Sequence, residues 1–92
     1  MVIISRALAL SASLNYMRFM ISPLQIRAAR ALLELKRADL AASAGISSTA
    51  LANIERSESD PRASTLQKIQ EVLETEGIVF GENDGVSLTR RN

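Results

Sequence analysis

Strong chemistry in this chain rests on carboxylates, amines and guanidinium groups alone, because its 92 residues include neither Cys nor His. Paired Asp and Glu side chains can act as acid and base or hold a hard cation, and ten are present. None of them stands at a recognisable ligand or acid–base spacing. The missing thiols and imidazoles exclude disulfides, thiolate nucleophiles, imidazole bases and the common soft-ligand zinc sites. No catalysis, no metal centre and no cofactor are therefore expected, and the remaining side chains are suited to binding.

Eleven Lys and Arg against ten Asp and Glu give a formal net charge of +1, a weak electrostatic pull towards nucleic acid. One Tyr and two Phe are too few for an aromatic stacking platform, so single-strand binding of that kind is not expected. The apolar first 21 residues are interrupted by Arg6 and Arg18 and by Ser5, Ser11, Ser13 and Asn15, which breaks any membrane span. They also lack the early basic residues and unbroken apolar run of a signal peptide. A cytoplasmic protein is the expectation.

The elements that position these groups read as a small helical domain at 22–77, preceded by an apolar extension at 1–21 and followed by a tail at 78–92. Ser22, Pro23 and Gln25 have the spacing of a capping box with proline at the first helical position. The first helix is expected to run to about Leu35, with Leu24, Ala28, Ala31 and Leu35 on one side and Ile26, Ala29 and Leu33 on a neighbouring one. A second helix of about 37–44 carries Leu40, Ala41 and Ala44 inward and closes at Gly45. Ile46 returns to the core, and Ser47 caps a third helix of about 48–56 with Leu51 and Ile54 on its buried face. The polar loop 57–62 holds Pro61, and Ser64 with Gln67 repeats the capping-box spacing before a fourth helix whose stripe is Leu66, Ile69, Val72 and Leu73. Gly77 ends that helix. Ile78–Phe80 and Val86–Leu88 flank a Gly-Glu-Asn-Asp-Gly turn and read as a hairpin, which must dock on the helices or exchange strands with a second copy.

Ile26-Arg27-Ala28-Ala29-Arg30, Ala38-Asp39-Leu40-Ala41, Ala44-Gly45-Ile46-Ser47, Leu51-Ala52-Asn53-Ile54-Glu55, Pro61 and Thr65-Leu66 form an ordered series covering about half the chain. This series resembles the Xre-type, lambda-repressor-like helix-turn-helix family of bacterial and phage regulators. The resemblance implies a mainly α bundle of four to five helices with a short C-terminal hairpin or strand. It implies that Arg30 of the first helix pairs with Glu55 at the end of the third, as a structural clamp. It also implies double-stranded DNA as partner, with Ser48, Thr49 and Asn53 facing bases and Arg37, Ser47 and Arg62 near phosphates. Asn is suited to adenine through two hydrogen bonds, and Thr to a base edge or a thymine methyl. The small Ala41 and Gly45 are expected to let the second and third helices approach closely.

The chain departs from the family in the surface it displays. Arg37 replaces a glutamine common in relatives, and Ser48, Thr49, Ala50, Ala52 and Asn53 give the third helix a short, neutral outer face. The following loop, often glycine and basic residues in relatives, is Ser57-Glu58-Ser59-Asp60. Across 36–62, Lys36, Arg37, Arg56 and Arg62 are balanced by Asp39, Glu55, Glu58 and Asp60, so the motif has no net charge. Two functions follow. The first is a small transcription regulator that binds an operator, as a homodimer joined through the tail or the first 21 residues. The alternative is an antiactivator that keeps the fold but sequesters a transcription activator, using Leu10, Leu14, Met17 and Phe19 as an adaptable apolar surface. The same apolar segment also reads as an extra helix packed on the domain or as a plain extension.

Overall fold

The computed structural model describes residues 20–89. Helices α1 (Pro23–Leu33), α2 (Arg37–Ala44), α3 (Ser48–Glu55) and α4 (Ala63–Thr75) precede strands β1 (Ile78–Phe80) and β2 (Val86–Leu88). The strands pair antiparallel, with Ile78 opposite Leu88 and Phe80 opposite Val86. Every element contributes to a single core. Ile26 and Ala29 of α1, Leu40, Ala41 and Ala44 of α2, Leu51 and Ile54 of α3, and Ile69 and Leu73 of α4 meet there, with Ile78 of β1 at the edge. This is the mainly helical bundle with a C-terminal hairpin that the spacing predicted.

Ser22 and Gln25 form the expected capping box at the start of α1. The Ser22 hydroxyl accepts from the Gln25 backbone N–H at 3.2 Å, and Gln25 Oε1 accepts from the Ser22 N–H at 2.9 Å. The same two side chains also fasten the hairpin. Gln25 Nε2 donates to the carbonyls of Gly81 and Gly85 at 3.1 and 3.0 Å, and Ser22 Oγ donates to Asp84 Oδ1 at 2.6 Å. Asn83 and Asp84 both hold left-handed backbone, at φ 58° and 59°, as the two central residues of a turn closed by the Gly85 N–H on the Glu82 carbonyl at 3.0 Å. Phe80, Val86 and Leu88 then pack against the core, so the tail docks on the helices of its own chain.

The step from α4 into β1 depends on Gly77. Its φ of 104° lies where L side chains rarely fit, and a Cβ there would stand 2.7 Å from the Thr89 carbonyl oxygen. The close approach has a purpose, because the Thr89 N–H donates to the Gly77 carbonyl at 2.8 Å and so closes the hairpin onto the helix end. Gly77→Ala is expected to cost about 2–3 kcal/mol, from backbone strain and the carbonyl clash together. A thermal melt followed by circular dichroism checks this, and an unchanged midpoint would contradict it.

Three local expectations need correction. On α1 the inward face is Gln25, Ile26 and Ala29, whereas Leu24, Ala28 and Ala31 are exposed. The two apolar strips lie on different faces of the helix and the bundle buries only the Ile26–Ala29 one, while a left-handed Glu34 (φ 54°) ends the helix before Leu35. The fourth helix starts at Ala63 with Arg62 in the N-cap position and no side-chain cap, which leaves Ser64 inside the first turn. Arg62, directly after Pro61, is the residue that makes the extended-to-helical transition, two positions earlier than the Ser64 spacing implied. Gly45 is needed for its φ of 73° and not for closeness, since a Cβ there would meet nothing within 4 Å.

Candidate nucleic-acid interface

The corner between α2 and α3 is built from backbone chemistry. The Gly45 N–H donates to the Ala42 carbonyl at 3.2 Å and the Ile46 N–H to the Ala41 carbonyl at 2.9 Å, a left-handed cap that reverses the chain at once. Ile46 tucks against the core, and Ser47 Oγ accepts from the Ala50 N–H at 3.0 Å to start α3. Leu51 and Ile54 then point inward while Ser48 and Thr49 are exposed and Asn53 is half-buried. Thr49 and Asn53 are four apart and share one outer face. Ala52, expected on that face, is buried. It lies three residues before Glu55, on the side of α3 that α1 covers.

Glu55 is the anchor of the motif. Its side chain is wholly buried, and Arg30 grips it with two bonds, Nε to Oε2 at 2.7 Å and Nη2 to Oε1 at 2.8 Å. Arg37 Nε adds a third bond to Oε1 at 2.9 Å, and Arg27 Nη1 donates to the Glu55 backbone carbonyl. Arg30 also reaches the Leu35 carbonyl at 3.2 Å. One carboxylate thus ties the end of α3 to α1 and to the start of α2. The family resemblance implies only Arg30 as its partner. The signal for the others was the arginine repeat at 27 and 30 on one helix side and the basic residue opening α2.

Burial pushes the Glu55 carboxyl up, but the hydrogen bonds and charges of Arg30 and Arg37 outweigh it and hold the group below its ordinary range. A folded-state value below the unfolded one means stability that is present above the unfolded carboxylate range, about pH 4.3, and lost as pH falls through the folded value. The midpoint of thermal unfolding should therefore fall below about pH 4 in the native chain, and fall less in Glu55→Gln. Equal slopes for both proteins would contradict the assignment.

The residues expected near phosphates are differently occupied. Arg37 is drawn into the Glu55 cluster, with its side chain still 39% exposed. Lys36 and Arg62 are exposed N-cap residues of α2 and α4, and Ser47 is the exposed N-cap of α3. The chain after α3 turns through Ser57 in left-handed backbone (φ 60°). Arg56 there is bonded to Glu58, Nε to Oε1 at 2.6 Å, and to Asn53 Oδ1 through Nη2 at 3.0 Å. Leu10, Leu14, Met17 and Phe19, the apolar residues of the antiactivator reading, lie outside the described residues.

No group of Asp and Glu among the described residues is arranged to hold a metal ion, and no helix among them is long and apolar enough to cross a membrane. No curated protein matches the chain. A family model described as helix-turn-helix does match it, over residues 26–78, which span α1 from its second turn through α4 to the first residue of β1. With more than half the sequence in that match, and with the capped corner, outward α3 and arginine–glutamate clamp in place, the chain belongs to the Xre-type, lambda-repressor-like helix-turn-helix family.

Proposed function

We propose that the protein is a cytoplasmic transcription regulator that binds double-stranded DNA, with α3 in the major groove and no catalytic step. The observation that carries this reading is the outward face of α3, where Ser48, Thr49 and Asn53 stand on a helix whose opposite side is locked into the core. Ser48, Thr49 and Asn53 contact base edges. Lys36, Ser47 and Arg62, at three helix N-termini, hold phosphates, with Arg37 supplying its exposed edge. The protein acts as a homodimer on two half-sites about one helical turn apart. Leu24 and Leu32, 54% and 43% exposed on α1, give a dimer apolar surface to cover.

The test is a titration of labelled duplex from the region upstream of the protein's own gene, at about 50 and 200 mM salt. The reading expects specific binding that weakens with salt with a log–log slope of about −2 to −4 for each protomer, since few cations face the phosphates. Binding to no duplex at micromolar protein, or equal binding to a scrambled duplex, would overturn it.

A further inference from the structure

We infer that Asn53 and Arg56 form a donor-only reading head, oriented by Glu58, which selects guanine over adenine at its base pair. This rests on the proposed DNA binding by α3 and adds which base edge that helix prefers.

A free carboxamide presents an acceptor beside donors, which is why Asn suits the N6 donor and N7 acceptor of adenine. Asn53 is not free in that sense. Its Oδ1 accepts from Arg56 Nη2 at 3.0 Å, one helical turn on, so an adenine amine would have to approach an oxygen already bonded to a cation. Asn53 Nδ2 has no hydrogen-bond partner among the described residues, and a bond at the carbonyl end polarises the amide and strengthens Nδ2 as a donor. Arg56 brings only further donors, with Nη1 also unpartnered among the described residues.

Guanine is the base whose major-groove edge offers two acceptors, N7 and O6, and no donor. It is therefore the edge that matches a head made only of donors. Glu58 acts as a positioning residue: by accepting from Arg56 Nε at 2.6 Å it holds the guanidinium at a second point beside the Nη2 contact to Asn53. The acidic residue that weakens phosphate binding thus sharpens base selection.

The experiment uses the full chain and a set of duplexes in which each base pair of the bound site is replaced in turn. The position read by Asn53 is the one whose preference disappears in Asn53→Ala. At that position the native protein should bind guanine on the order of tenfold more tightly than adenine. Arg56→Met should move the preference towards adenine while binding persists, and Glu58→Gln should narrow it. An adenine preference in the native protein would overturn the inference. So would uniform weakening by Arg56→Met with the guanine preference intact, which would make Arg56 a phosphate contact. Specific binding with no Asn53-dependent position overturns this inference and leaves DNA binding standing, whereas absence of specific binding to any duplex overturns both.

Discussion

Glu55→Ala is expected to destabilise the domain by about 3 kcal/mol, lowering its thermal midpoint by on the order of 15 °C. The carboxylate has no contact with water and carries three side-chain hydrogen bonds from two guanidinium groups. Its removal leaves Arg30, only 19% exposed, without a counter-charge, and breaks the link between α3, α1 and the start of α2. The size of the effect stays at the lower end of the range for broken buried pairs because Arg37 can turn to solvent. A domain of this size is held by about 5 kcal/mol, so the loss consumes most of its margin. Arg37→Met should cost less than about 1 kcal/mol, since that side chain is more than a third exposed and screened. Urea denaturation of the three proteins checks the order, and equal costs for Glu55→Ala and Arg37→Met would refute the anchor role.

Glu58→Lys is expected to strengthen DNA binding about tenfold at 100 mM salt and steepen the salt dependence by about one to two units of log–log slope. The native loop holds its own cation back, because Glu58 takes Arg56 Nε at 2.6 Å. The substitution removes an acidic group from the phosphate side and adds a basic one. Both partners are more than half exposed, so the fold should lose little. The gain should be nearly uniform across sequences except at the base pair read by Asn53, where loss of the Glu58 contact narrows the guanine preference as it does in Glu58→Gln. Titration against operator and scrambled duplexes at two salt concentrations measures it. Unchanged affinity and slope would mean that the loop 57–62 does not face the phosphates.

Local pattern carried much of this fold. The caps at Ser22 and Ser47, the left-handed Gly45 and the inward Leu51 and Ile54 all follow from interactions within four residues, which a sequence displays directly. Contacts between distant residues were less legible. Gln25 reads as half of a capping box, yet its Nε2 also holds carbonyls 56 and 60 positions away, and nothing in its spacing reveals that second task. Arg37 reads as a phosphate ligand because it opens α2, and only the bundle's packing brings it to Glu55. Ala52 reads as exposed on a helix with two obvious core residues, but α1 lies close enough to cover it. At the interface itself the residue types were visible and their pairing was not: Asn53, Arg56 and Glu58 become one unit through two hydrogen bonds.

Amide chemical shifts recorded while the protein is titrated with its specific duplex give the most direct test that α3 is the reading element. The account predicts the largest changes in Ser47–Asn53, with a second group at 36–38 and 58–62 where helix N-termini and the acidic loop meet the backbone. Shifts confined to the exposed side of α1, around Leu24 and Leu32, with Thr49 and Asn53 unmoved, would contradict it.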